Sequence, residues 1–207
     1  CSFCSFAEEY TSFGTMQLDK AAIIEKTKKF TYNGDLYGLY LMTMHKYDLN
    51  HFLDCVNIVK ENINGKTKIF SNVGDTSYED FLKMKEAGVY GVYHCWRLGE
   101  GTDTRLSPEQ RKQTLYNAKK AGLEVLDALE PIAPEHTPED LAEHIFFSKE
   151  LGSFQCFGNQ QFNTFQNHCR ASADICLHGQ NTYHGNSRTP HFGLHLRCQY
   201  GLCRIRC

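Results

Sequence analysis

Residues 89–100 read Val89-Tyr90-Gly91-Val92-Tyr93-His94-Cys95-Trp96-Arg97-Leu98-Gly99-Glu100, and residues 119–129 read Lys119-Lys120-Ala121-Gly122-Leu123-Glu124-Val125-Leu126-Asp127-Ala128-Leu129. The first is a short aromatic and β-branched run, the second a helix end that opens into another such run, so both carry a predicted strand, at 89–95 and 124–129. Between them Ser107 and Gln110 have capping-box spacing and Pro108 stands where a helix loses no hydrogen bond to it. Gly122 then supplies the left-handed residue that ends a helix. This is one strand, one helix and the next strand, which is the unit of a parallel sheet.

The same unit repeats outward in both directions. Further strands are predicted at 36–43 and 67–73. Between these two, Leu49, Phe52, Leu53, Val56 and Val59 fall at helical spacing and give one apolar face. Thr76 with Glu79 has the spacing of another capping box, Pro138 follows Thr137 at a further helix start, and Gly88 and Gly152 stand at two more helix ends. Alternation of this kind fits a (β/α) barrel or a doubly wound sheet. No Gly-x-Gly-x-x-Gly follows a predicted strand, which lowers the dinucleotide-binding option.

The composition changes after Gly152. Ser153 to Cys207 has no Lys, Glu, Val or Met and a single acidic residue, Asp174, yet carries Cys156, Cys169, Cys176, Cys198, Cys203 and Cys207. It shows neither a helical nor a strand period. The expected organisation is therefore one unit of repeated βα pairs over 1–152 and, over 153–207, a disordered or out-of-frame tail. A Cys/His-rich zinc module is the alternative, against which no two of these cysteines have Cys-x-x-Cys spacing.

With 207 residues and a formal charge of -2, acidic and basic residues interspersed, the chain has the size of one domain and no footprint for nucleic acid or a membrane surface. A small-molecule substrate is the expected partner. The longest apolar runs are too short to span a bilayer and no signal segment is recognisable, so the reading expects a soluble, cytoplasmic protein. Its ten cysteines then read as reduced thiols, some of them binding metal. The chain opens on Cys1, which reads as a cut N-terminus.

Cys1 and Cys4 form a Cys-x-x-Cys pair with Phe3 before the second cysteine. Two thiolates so close can share zinc or an iron–sulfur centre. Followed by a helix and repeated βα units, Cys-x-Phe-Cys resembles the end of the Cys-x-x-x-Cys-x-aromatic-Cys motif of radical-SAM enzymes, within the biotin-synthase-like group. The resemblance runs from Cys1 to about Leu151 and implies a partial (β/α) barrel, a [4Fe–4S] cluster held by Cys1, Cys4 and an upstream cysteine, and S-adenosylmethionine on the cluster's open iron. It implies reductive cleavage of that cofactor to a deoxyadenosyl radical, in cofactor or vitamin biosynthesis, with an electron donor such as flavodoxin or ferredoxin.

The stretch 89–100 is similar to the fourth-strand region of biotin synthase and its relatives, which implies that Glu100 contacts the ribose. Arg111, eleven positions before Gly122, matches the arginine that pairs with the methionyl carboxylate. Glu130-Pro131-Ile132-Ala133-Pro134-Glu135-His136-Thr137 resembles the turn that lines the adenine, which brings in Glu130 and Ile132. On the residues alone, Glu100 and Arg111 read first as exposed charges, and His94 and Cys95 as packed core. His136 and His144 have a poor metal spacing, and Glu135 and Asp140 favour the helix dipole. The first cluster cysteine and the closing strands have no counterpart, so this chain by itself is expected to be inactive. Competing readings are an aldolase-type barrel, disfavoured because no predicted strand ends on a lysine, and a non-catalytic Cys/His-rich zinc-binding protein.

Overall fold

The computed structural model of the chain describes residues 17–162, 171–176 and 202–206, with side chains over 17–158. Helices and strands alternate: α1 (Lys20–Phe30), β1 (Gly38–Met42), α2 (Leu49–Asn62), β2 (Lys68–Asn72), α3 (Tyr78–Ala87), β3 (Val89–Tyr93), α4 (Pro108–Lys120), β4 (Glu124–Ile132), α5 (Pro138–Leu151) and β5 (Gln155–Phe162). Strands β1 to β5 pair in sequence order, all parallel. Two further strands complete the described sheet: β6 (Ala171–Cys176) runs antiparallel to β5, and β7 (Leu202–Arg206) runs parallel to β1. The sheet thus continues past Gly152, where the sequence has no strand pattern. Cys1 and Cys4 lie outside the described residues, as does most of the expected tail.

The strands sort their side chains by period two. Leu39, Leu41, Ile69, Val89, Val92 and Val125 face the helices and join Phe52, Val56, Phe81, Met84 and Leu115 in one core. Tyr40, Phe70, Tyr93, Cys95, Leu126 and Ala128 form a second core on the opposite face, the one a closed barrel turns inward. There Tyr40 lies 5.4 Å from Phe70 and 6.0 Å from Tyr93, ring to ring, and Tyr93 stacks on Phe157 at 5.6 Å. Tyr90 and Tyr93 are three apart and should face opposite ways, yet both pack on this core. The reason is a register shift: Ile69 pairs Val89 while Phe70 pairs Gly91, so Tyr90 is an extra residue. Gly91 is required because a Cβ would stand 2.8 Å from the Phe70 ring.

Capping chemistry fixes the helix starts, with one displacement from the expected pattern. The cap of α3 is Ser77, whose side chain accepts from the Asp80 N–H, and not Thr76. The Thr76 hydroxyl instead donates to the Gly74 carbonyl and meets Tyr47 Oη at 2.8 Å, so it is spent on a loop. Ser107 caps α4, and its hydroxyl donates to Glu109. Thr137 and Asp140 make the full reciprocal box at α5. The helix ends carry a repeated tie: Lys60 on α2 donates to the Ala87 carbonyl ending α3, Lys85 on α3 to Ala121 ending α4, and Lys119 on α4 to Gly152 ending α5. Among the described residues no helix is long and apolar enough to cross a membrane.

Candidate active site

Parallel sheets place their chemistry at the strand C-termini, and here these ends carry charge where the strand bodies carry aromatics. After β2 the chain turns through Gly74, where the His45 carbonyl from the loop after β1 fills the space a Cβ would occupy. That close crossing sets Asp75 over the sheet edge. After β3 come His94, Cys95, Trp96 and Arg97, then a tight run of turns that delivers Glu100 and Thr104. Helix α4 lays its first two turns against these loops and buries Arg111 and Thr114.

Asp75 is the meeting point. Its Oδ1 accepts from Arg111 Nη1 at 3.0 Å and from the Thr114 hydroxyl at 3.3 Å, and lies 3.3 Å from His94 Nε2. Its Oδ2 lies 3.9 Å from His45 Nε2. Arg111 also donates through Nε to the Cys95 carbonyl at 3.3 Å and stands 3.7 Å from Glu100. Glu100 accepts from the Thr104 hydroxyl at 2.6 Å and from the Arg97 N–H at 3.0 Å. Arg97 Nε then reaches Glu130 Oε1 at 3.3 Å, and the same oxygen accepts from the Cys95 thiol. Charges therefore alternate along one line, Asp75, Arg111, Glu100, Arg97, Glu130.

Burial by itself raises the Asp75 carboxyl, but contact with His94 and the Arg111 charge outweigh it and hold the group at about 2. Burial and the same Arg111 charge push His94 down to about 4, against the pull of Asp75, so its ring is neutral near pH 7. Burial raises the Cys95 thiol well above its ordinary value, which leaves it a protonated donor to Glu130. The His94 Nε2 atom is buried and, despite the nearby carboxylate, has no well-formed hydrogen bond.

Glu100 and Arg111, which read as exposed charges on the residues alone, are 8% and 4% exposed. They are brought together with Glu130 in one network, while Ile132 closes β4 on the part-exposed rim, opposite Gln160 of β5. His94 and Cys95 are core residues, and His136 holds its own turn by accepting from the Ala133 N–H at 3.0 Å. The strands β1 to β4 end on Met42, Asn72, Tyr93 and Ile132, so none ends on a lysine. Sequence reasoning missed Asp75. Its position after a strand and a glycine was the one available signal.

No protein-family model matches the chain, and no curated protein matches it. Its structure is similar to that of methylornithine synthase (PylB), at 20% identity and a TM-score of 0.67, over 77% of this chain and 49% of that one. The fold is that of a partial (β/α) barrel. HydG, a maturase of the [FeFe]-hydrogenase, superposes with a TM-score of 0.58 at 11% identity, over 75% of this chain and 38% of its own. HydG from Carboxydothermus hydrogenoformans gives 0.54 at 14% identity, over 73% and 38%. The chain spans about half the length of the first of these and less of the others.

Proposed function

We propose that the chain belongs to the radical-SAM superfamily, near the biotin-synthase-like group, and that its site binds S-adenosylmethionine across the strand ends. The observation that carries this reading is the buried line of charge from Asp75 to Glu130 at the C-terminal ends of parallel strands, in a fold shared with methylornithine synthase and HydG. Two guanidiniums, three carboxylates and a neutral imidazole suit a cofactor that is itself zwitterionic and rich in hydroxyls. His94 Nε2 lies 3.3 Å from Asp75 without a well-formed hydrogen bond, which leaves room for a better partner there.

In this reading Cys1, Cys4 and an upstream cysteine hold a [4Fe–4S] cluster, Arg111 faces the methionyl carboxylate, Glu100 the ribose, and Glu130 and Ile132 the adenine. A cluster held there would supply one-electron reducing chemistry toward the bound S-adenosylmethionine. This chain's residues bind and orient: Asp75 fixes the Arg111 fork, and Thr104 with Arg97 fixes the Glu100 carboxylate. The enzyme is cytoplasmic, takes electrons from a flavodoxin or ferredoxin, and serves the biosynthesis of a cofactor or vitamin.

The test is Arg111→Lys and Glu100→Gln in the full-length protein, with iron content and S-adenosylmethionine binding measured on the same samples. Iron should be unchanged and binding weaker by roughly 10-fold or more, as for loss of a charged hydrogen bond. Unchanged binding in both variants removes these residues from the cofactor site.

A further inference from the structure

A second polar cluster lies on the helix-facing side of the sheet, away from the strand ends. Asp127 sits in β4 between Leu126 and Ala128, which face the inner core, so its own side chain is turned toward α5. There it meets His144 and Ser148, one turn apart on α5, and Cys156 of β5. A carboxylate oxygen, an imidazole nitrogen and a sulfur from Asp127, His144 and Cys156 all lie within 4.8 Å of one another. The residues are 0%, 0% and 8% exposed, and Ser148 is 2% exposed.

These groups do not satisfy one another. His144 Nε2 stands 3.3 Å from Asp127 Oδ2, yet neither atom makes a well-formed hydrogen bond, and His144 Nδ1 and the Ser148 hydroxyl also lack one. Asp127 Oδ1 accepts from the Ala128 N–H, which leaves Oδ2 aimed into the cluster. Buried polar atoms are normally satisfied, so Asp127 Oδ2, one nitrogen of the His144 ring and the Ser148 hydroxyl, gathered without a well-formed hydrogen bond, mark a place that an occupant could fill. Trp96 stacks on the His144 ring at 5.3 Å and seals the cluster from the outside.

We propose that Asp127, His144 and Cys156 form a site for a divalent metal of the zinc class, with the Ser148 side as the fourth position. An oxygen, a nitrogen and a sulfur within 4.8 Å of one another match the borderline character and tetrahedral preference of Zn²⁺. Ligand bonds of about 2.0–2.3 Å would draw the three donors inward by roughly 1 Å, within reach of side-chain rotation. Uptake releases the Cys156 thiol proton to solvent, and the metal then ties β4, β5 and α5 together. The site is closed, which makes it structural, and it is independent of the radical-SAM reading.

Trp96 is the chain's single tryptophan, so its fluorescence reports on this site even if cysteines elsewhere bind metal. The test titrates the reduced full chain with Co²⁺ as a spectroscopic stand-in for Zn²⁺. Saturable quenching of Trp96, accompanied by a thiolate-to-cobalt absorption band and reversed by Zn²⁺, is expected. Cys156→Ala and His144→Asn should each weaken that response by at least roughly 100-fold, whereas Cys198→Ala should leave it intact. The wild-type titration decides the matter even if a variant fails to fold. Trp96 that ignores Co²⁺, as it would if an ordered water fills the cluster, overturns the proposal, and so does quenching that survives Cys156→Ala in a folded chain.

Discussion

Arg111 donates to Asp75 across 36 positions of sequence at 3.0 Å, joining the middle of the chain's βα repeats at a single buried ion pair. Their side chains are 5% and 11% exposed, so water is a poor substitute partner for Arg111 and reaches only one edge of Asp75. Removing Arg111 takes the guanidinium from Asp75, which keeps the Thr114 hydroxyl and the His94 ring. Arg111→Met should therefore destabilise the chain by about 1.5–3 kcal/mol, as for loss of a charged hydrogen bond, and Asp75→Asn added to it should recover part of that loss. Urea denaturation of the two single variants and the double variant would show it; strictly additive losses would mean that the pair is not coupled.

Acid should act through His94 before it acts through Asp75. The folded His94 value of about 4 lies below the ordinary 6.5, so the unfolded chain binds the proton first. Stability from this group is complete above pH 6.5 and is lost as the pH falls through about 4, by on the order of 3 kcal/mol. Asp75, at about 2 against an ordinary 3.8, adds a second loss between those values. In His94→Gln the slope between pH 6.5 and 4 should flatten, and the slope below 4 should shrink in part, because Asp75 loses the His94 contact that helps to hold its carboxyl low and keeps Arg111. Thermal denaturation across this range measures both.

Gly91 is held to its size by neighbours that cannot retreat. A Cβ there would stand 2.7 Å from the Glu124 carbonyl oxygen and 2.8 Å from the Phe70 ring. Gly91→Ala should cost about 1–3 kcal/mol through overpacking and disturb the tyrosines that meet Phe70. Near-ultraviolet circular dichroism should weaken more than the far-ultraviolet signal.

The cysteine pair makes a separate prediction. In the full-length protein, anaerobic reconstitution with iron and sulfide should give a brown product, and changing Cys1 and Cys4 together to alanine should remove the colour. Full iron and sulfide in the double variant would exclude them as cluster ligands.

The repeat was legible because its signals are local. Val89 to Tyr93 declares a strand by β-branched and aromatic residues, Ser107 and Pro108 declare a helix start, and each acts within a few positions of its own. Thr76 and Ser77 are adjacent hydroxyls, and only the tertiary demand of Gly74 and Tyr47 on Thr76 decides which one caps α3. Strand β5 was illegible because Gln155–Phe162 has no β-branched residue; its place is dictated by pairing with β4. Arg111 and Glu100 were found by resemblance, while Asp75 was missed because its importance arises only where three elements meet.

The lysine ties from Lys60 to Ala87, Lys85 to Ala121 and Lys119 to Gly152 all point the same way, each from one helix to the end of the next. Every donor sits near the negative end of its own helix and relieves the unpaired carbonyls of its successor. The wheel of helices consequently has a sense of rotation. Local opening should travel forward: when α2 loosens, the last turn of α3 loses its external donor, whereas loosening α3 takes packing from α2 but not a lysine donor of this kind. Amide exchange at the closing turns of α3, α4 and α5 would then rise one helix downstream of each lysine removed, so that damage spreads around the sheet in the order in which the chain was written.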